Sequence, residues 1–349
     1  MLNKAINIYS RMADEVSKHI YLQRLNYSIS QDEMYIEKML DLSIRNSAGW
    51  RAFLLQMSEI CASNVVLFGN GIWGRTLVRE LYGYRWKCII DNALQTENDD
   101  RIPVINADRF LAGYSGEKIV ISSYKNREAM IEQCLSFGVR EADIIDASAI
   151  IYELTEGKIY FDEDVLVNAG DGLFIDGGCY DGSDTRRYLE KYRGNAVCFE
   201  PDSKNIEKVR NGLVNMDPCR YRIVSKGLWS RPKRVAFRSD GGCGSHIVAG
   251  GQNDVSIETR TIDEEVSEEK VSIIKMDIEG AELEALKGAR GVIERSHPIL
   301  AISVYHKPED ILEIPDYILK LYDGYRLYLR HYSFSWYDTV LYAIPEETI

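Results

Sequence analysis

Residues 173–202, LFIDGGCYDGSDTRRYLEKYRGNAVCFEPD, read as strand, glycine-rich turn, helix and strand. The apolar run 173–176 is short and stops at glycine, which suits a buried strand. Gly177, Gly178 and Gly182 lack the side chains that would hold a tight turn away from a ligand. Asp181, Ser183 and Asp184 each offer an oxygen to cap the helix expected over 185–192. A second apolar run, 196–199, ends in Glu200, with Pro201 and Asp202 behind it. This is half of a nucleotide-binding αβ fold.

Charge selects the nucleotide. A dinucleotide loop must receive a pyrophosphate on bare N–H groups and a helix N-terminus, yet this loop carries Asp176 and Asp181 and no basic residue. S-adenosylmethionine has no phosphate and bears a sulfonium and an ammonium, so acidic neighbours suit it. Glu200 stands 24 positions after Asp176, where a strand-end carboxylate can accept both ribose hydroxyls. The expected cofactor-binding set is therefore Asp176, Gly177, Gly178, Tyr180, Asp181, Gly182, Glu200 and Asp202. Glycines that serve only a tight αβ turn are the alternative.

The remaining composition is that of an ordinary globular chain: 349 residues, 45% apolar and 28% charged, with room for two cores. A net charge of −12 argues against nucleic acid or an anionic membrane as main partner, because both need a basic face. Seven cysteines, Cys61, Cys88, Cys134, Cys179, Cys198, Cys219 and Cys243, show no CxxC spacing, which favours reduced thiols in a cytoplasmic protein over disulfides or a zinc site. The first residues have no apolar core, so no signal peptide is expected, and no apolar run approaches 18 residues.

Residues 1–63 are expected to be helical. Ile6, Tyr9, Met12, Val16 and Ile20 mark one apolar stripe, Ser30 with Glu33 forms a capping box for a second helix, and 50–60 is a third. The stripes are expected to pack on the next domain or on a second subunit, which leaves a homo-oligomer open. Residues 64–150 then repeat the strand–glycine–helix pattern. VVLFGNGIWGR places Gly69, Gly71 and Gly74 in GxGxxG spacing, and Asp91 follows Gly69 by 22 positions at the end of the next strand. With no acid in the loop and Arg75 behind it, this turn would accept a pyrophosphate. The alternative is a domain whose glycines serve packing alone. After a boundary near 147–160, residues 158–349 form the last domain. There Pro201 is expected to open a helix, the glycine-rich segment 239–254 is either a ligand cover or simply mobile, and His246 is an exposed loop residue. VSIIKMDIEGAELEALKGA, 271–289, is a buried strand whose exit carries Asp277 to the face where open αβ sheets place ligands, which adds Asp277 to the expected cofactor-binding residues.

These residues carry a resemblance. FIDGGCYDGSDT, CFEPD, IIKMDIEGAELEALKGA and PILAISVYHKPEDILEIP resemble the FkbM family of class I S-adenosylmethionine methyltransferases, over about residues 160–345. The resemblance implies an α/β fold: a Rossmann-like sheet of seven strands, the last antiparallel. A smaller Rossmann-like αβ domain and N-terminal helices precede it here. It implies O-methylation of hydroxyls on sugars, glycolipids or polyketide products. Residues 64–146 resemble the Rossmann-like domain that precedes some FkbM enzymes of surface-polysaccharide gene clusters and is similar to nucleotide-sugar-binding domains.

A neutral sugar hydroxyl is a poor nucleophile and needs a base or a metal. His306, after a strand end, is the first candidate base, with Lys307 expected to keep the imidazole neutral by repulsion. A histidine that only hydrogen-bonds the backbone is the other reading. Asp277 can act as base, orient the acceptor, or hold a divalent cation with Glu279, so metal stays unassigned. Glu279 otherwise complements a helix N-terminus. Tyr180 and Trp229 either wall the cofactor pocket or belong to the core. Two rival functions remain: an NAD- or nucleotide-sugar-dependent enzyme using residues 64–150, and a non-catalytic S-adenosylmethionine-binding scaffold.

Overall fold

A computed structural model of the chain describes residues 2–60, 64–93, 102–166, 170–239, 241–242, 244–248, 254–266 and 268–348. Two compact units result, and they divide the chain differently from the expected boundaries at 63 and 150. Residues up to 42 join those from 159 onward, and 43–158 stand as the second unit. Among the described residues no helix is long and apolar enough to cross a membrane.

The chain opens with α1 (Leu2–Arg11), α2 (Glu15–Ser30) and α3 (Met34–Leu40). The expected continuous stripe is broken between the first two, where the Asp14 carboxylate accepts the Ser17 N–H at 2.7 Å and restarts the helix. The break resets the helical phase. Of the stripe, Met12 and Ile20 are buried but Ile6, Tyr9 and Val16 are exposed, and Ile8 and Tyr21, outside it, are buried. Nor does Ser30 open a helix: it ends α2, and Asp32 takes the Met34 N–H.

In the unit 43–158, α4 (Ala48–Ser58) precedes alternating β1 (Val65–Phe68), α5 (Ile72–Glu80), β2 (Trp86–Asp91), β3 (Val104–Asn106), α6 (Ala107–Leu111), β4 (Lys118–Ile121), α7 (Arg127–Ser136), β5 (Ile144–Asp146) and α8 (Ala147–Leu154). All five strands are parallel in the order β3-β2-β1-β4-β5, the doubly wound arrangement that alternating strands and helices impose. Val66, Phe68, Cys88, Ile90, Ile119 and Ile121 fill its core.

From residue 159 the other unit continues with β6 (Leu173–Gly177), α9 (Ser183–Lys191), β7 (Asn195–Phe199), α10 (Ser203–Gly212), β8 (Tyr221–Val224), β9 (Gly227–Leu228), β10 (Arg234–Arg238), β11 (His246–Val248) and β12 (Val255–Arg260). It ends with α11 (Ile262–Val266), β13 (Val271–Met276), α12 (Glu282–Lys287), α13 (Arg290–Ser296), β14 (Ile299–Ser303), α14 (Asp310–Leu321), β15 (Tyr325–His331) and β16 (Thr339–Pro345). The large sheet has seven strands in the order β15-β16-β14-β13-β6-β7-β8. Its last strand, β16, is antiparallel to both neighbours, as expected. Two local expectations fail. Asp202 rather than Pro201 caps α10, accepting the Lys204 N–H at 3.0 Å. Beside the large sheet lies a four-stranded one, β11-β10-β12-β9, where the glycine-rich segment was expected to be a loop.

Edge strand β15 is covered by the N-terminal helices. The Ala13 N–H donates to Leu327 O at 2.8 Å, Leu329 N–H donates to Ser17 Oγ at 3.0 Å, and Arg330 pairs with Asp14 at 2.7 Å. A bare edge of N–H and C=O groups invites pairing with another chain, and α1 and α2 remove that edge.

Candidate active site

The turn after β6 and the turn after β13 meet backbone to backbone. Gly178 has φ +76°, and a Cβ there would lie 2.0 Å from Asp277 O, so only glycine fits. The chain then rises through Tyr180, also left-handed at φ 47°, and its N–H donates to Glu200 Oε2 at 3.1 Å. Gly182, at φ +79°, starts α9. These turns open into a cleft beyond the carboxyl ends of β6, β7 and β13, the place where open αβ sheets bind ligands. Phe199, Leu228, Phe237 and Ile247 give it apolar walls, and Glu200, Asp277 and Glu279 bring carboxylates to its lining.

Glu200 is buried and accepts the N–H groups of Tyr180 and Asp202, the latter at 2.8 Å. Burial outweighs these bonds and pushes its carboxyl up to about 7. The β10–β11 hairpin packs beside it. Ser239 and Ser245 each donate to Asp202 Oδ2 at 2.8 Å, Lys208 Nζ donates to Gly241 O at 2.5 Å, and Asn205 Nδ2 donates to Gly242 O at 3.0 Å. His246 is therefore a half-buried strand residue on the cleft wall rather than an exposed loop residue. Residues 249–253 of the glycine-rich segment, with Cys243 and Cys61, lie outside the described residues.

The loop is not without positive charge once folded. Asp176 is fully buried, accepts from Thr185 Oγ1 at 2.7 Å and pairs with Lys275 Nζ at 3.0 Å. That lysine arrives from β13 and also donates to Gly178 O at 2.8 Å. The loop thus holds a cation that its own sequence does not contain, and the acidity facing the cleft belongs to Glu200, Asp277 and Glu279. Of the expected cofactor residues, Gly178, Tyr180, Glu200 and Asp277 line the cleft. Asp176 and Gly177 support it from beneath: a Cβ on Gly177 would meet Leu228 Cδ1 at 2.9 Å. Asp181 turns the chain into α9 by accepting the Ser183 N–H, and Asp202 anchors the hairpin. Trp229 stays off the cleft, its ring under Lys233 Nζ at 4.0 Å.

Tyr160 OH donates to Asp277 Oδ2 at 2.8 Å and Tyr305 OH donates to Oδ1 at 3.1 Å. His306 stands against three carboxylates. Its Nε2 is 3.4 Å from Asp277 and 3.6 Å from Glu279, and its Nδ1 is 2.9 Å from Glu282. Burial works against a charged imidazole, but Glu279, Glu282 and Asp277 prevail and lift it to about 11. Asp277 moves the other way, because His306, Lys275 and the two tyrosines overcome its burial and hold it below the usual range. The expected neutral His306 is therefore not what forms: Lys307 turns away to donate to Gly280 O, and three anions replace one cation as the nearest charges. As an imidazolium the ring cannot accept a proton. Glu279 has φ 54° and precedes α12, which begins at Glu282, so it does not complement that helix from within.

Tyr160, Lys275 and Glu282 were not singled out from the sequence. Tyr160 reaches Asp277 across 117 positions, and no local pattern carries such a pairing. Glu282 lies inside the quoted KMDIEGAE block, where a helical acid reads as a solvated face, yet it is fully buried.

In the other unit, the four expected nucleotide residues have structural duties. Gly69 has φ +110°, and a Cβ on Gly74 would lie 1.9 Å from Gly69 O. Gly71 caps α5 without a side chain. Asp91 accepts the N–H groups of Asn70 at 2.6 Å and Ala93 at 2.8 Å. Tyr114 and Lys118 stand at the Tyr-x-x-x-Lys spacing of some oxidoreductases, a pair that the reading of the sequence wrongly took to be absent from residues 92–146 and so counted against an oxidoreductase. Both converge on buried Asp143, an ion-pair network at the far end of β4.

Comparison with known proteins agrees with this architecture. Residues 176–333 match the methyltransferase FkbM domain. The 2-O-methyltransferase NoeI of Sinorhizobium fredii (strain NBRC 101917 / NGR234) is 28% identical over 154 residues, covering 38% of this chain. The chain spans 63% of that relative's length. Among solved structures, the methyltransferase FkbM from Methylobacillus flagellatus KT aligns with 90% of this chain and 100% of its own at 20% identity and a TM-score of 0.48. Aeropyrum pernix fibrillarin, solved with natively bound S-adenosyl-L-methionine, aligns with 55% of this chain and 73% of its own at 11% identity and a TM-score of 0.33. Over residues 176–333, less than half of its length, this chain is similar to the methyltransferase FkbM domain.

Proposed function

We propose that this protein transfers the methyl group of S-adenosylmethionine to a hydroxyl of a sugar, glycan or similar small molecule, in surface-polysaccharide or natural-product biosynthesis. The observation that carries the reading is the cleft at the strand ends, lined by apolar side chains together with the carboxylates of Glu200, Asp277 and Glu279. Glu200 would accept the ribose hydroxyls, the apolar side chains would enclose the adenine, and Asp277 and Glu279 would suit the cationic methionine portion. The 2-O-methyltransferase relative and the net charge of −12 support a hydroxyl acceptor that is not a nucleic acid.

Transfer is an in-line displacement in which the acceptor oxygen–carbon bond forms as the carbon–sulfur bond breaks, so alignment supplies much of the rate. The hydroxyl proton passes to Asp277, whose two oxygens Tyr160 and Tyr305 hold in place. His306, charged by its three acidic neighbours, orients that carboxylate.

Calorimetric titration with S-adenosylhomocysteine, and separately with NAD and UDP-sugars, tests the assignment. Saturable binding of S-adenosylhomocysteine is expected, weakened about tenfold to a hundredfold by Glu200→Ala through the loss of hydrogen bonds to a charged group. Binding of NAD alone would overturn the reading and return attention to Gly69 and Asp91.

A further inference from the structure

The environment of His306 contains more negative charge than the protein compensates. Its side chain is 7% exposed, and neither ring nitrogen makes a hydrogen bond of acceptable geometry despite the carboxylates 2.9–3.6 Å away. Glu282 is fully buried; its Oε1 accepts the Ile278 N–H at 2.9 Å, and its Oε2 has no partner. A buried carboxylate oxygen and a buried imidazole left unpaired are costly. The two nearby lysines are engaged elsewhere: Lys275 holds Asp176, and Lys307 donates to Gly280 O.

One donor atom from each of Asp277, Glu282 and His306 lies within 4.8 Å of the others, and Glu279 stands at the rim. We infer that Asp277, Glu282 and His306 form a site for a divalent cation beside the cleft. Two carboxylates with one imidazole suit Mn²⁺ or Mg²⁺, whose ligands are chiefly oxygen, better than a soft, thiolate-seeking metal. The hydroxyls of Tyr160 and Tyr305 form the outer shell that fixes how Asp277 presents its oxygens. Binding takes the place of the proton on His306, as metal ligation by histidine requires. Asp277 and Glu279 line the cleft wall, so the cation faces the space where an acceptor enters. On the methyl-transfer reading, on which this consequence rests, it would draw the acceptor oxygen close and ease loss of its proton.

The test needs no acceptor. Full-length protein freed of metal with a chelator is titrated with MnCl₂, and unbound Mn²⁺ is read by electron paramagnetic resonance, alone and with S-adenosylhomocysteine. One saturable site per chain is expected, displaced by excess Mg²⁺ and weakened at least about tenfold in Asp277→Asn and in His306→Gln. Glu282→Gln disturbs a fully buried residue, so circular dichroism accompanies every variant and the conclusion rests on those that stay folded. No saturable site up to ~1 mM Mn²⁺, or one that keeps its affinity in both Asp277→Asn and His306→Gln, would overturn the inference. Mn²⁺ binding without S-adenosylhomocysteine binding would support the cation site and remove the cofactor reading. The reverse result would remove the site and leave that reading intact.

Discussion

Glu200 shows how one buried carboxyl links cofactor binding to pH. Its folded value, about 7, lies above its ordinary 4.5. The ligand-free protein therefore has this group's full contribution to stability below about pH 4.5 and loses it as pH rises through 7, on the order of 3 kcal/mol in all. On the proposed reading, in which ribose hydroxyls bind the ionised form, S-adenosylhomocysteine affinity is expected to fall below pH 7 by up to about tenfold per pH unit. Calorimetry from pH 5.5 to 8.5 checks this, and Glu200→Gln should flatten the profile; a wild-type affinity independent of pH would contradict it. Lys275 makes a second residue-scale case. Removing its charge in Lys275→Met leaves Asp176 buried without a counter-ion, an expected loss of about 3–5 kcal/mol in urea unfolding. Adding Asp176→Asn should recover much of that loss, because the unpaired charge is then gone.

At the scale of elements, the hairpin of β10 and β11 depends on one aspartate. Asp202 caps α10 and holds Ser239 and Ser245 together. Asp202→Ala is expected to cost about 1 kcal/mol through the lost cap and to release the hairpin from the cleft. Hydrogen exchange at 244–248 should then quicken, and S-adenosylhomocysteine affinity should drop although Asp202 does not line the cleft. Unchanged exchange across the hairpin would show that other contacts hold it. The segment shows the limit of local reading, since glycine, serine and aspartate compose a loop-like sequence. Only pairing of Ala236, Phe237 and Arg238 with Val248, Ile247 and His246 makes it a strand.

Over the whole molecule, the first 42 residues complete a unit that resumes at 159. Arg24, buried in α2, donates to Trp336 O at 2.5 Å and to Tyr305 O at 3.0 Å, so the N-terminal helices steady the segment that carries Tyr305 and His306. They also cover the β15 edge. A chain starting at residue 43 is expected to unfold at a lower temperature and to self-associate through that exposed edge. Thermal shift and size-exclusion chromatography read both effects; an unchanged melting temperature with a monodisperse profile would mean that the helices are dispensable to this unit.

The parallel sheets were legible because their strands are short apolar runs closed by glycine or an acid, and Glu200 and Asp277 were legible because strand ends in an open αβ sheet are where ligands sit. The helix phases of residues 2–30 were not, since a single break at Asp14 rotates every later side chain. Nor was the protonation of His306 legible. Adjacent Lys307 suggested a neutral ring, whereas the field is set by Glu279, Glu282 and Asp277, which lie 24 to 29 positions earlier in the chain and reach the ring by folding. The sequence by itself determined most strands of the five- and seven-stranded sheets and which of their ends carry acids, because hydrophobic runs and turn residues act locally. Tertiary structure alone decided which charges face one another, placing Lys275 under Asp176 and three acids around His306, because electrostatic energy depends on distance in space.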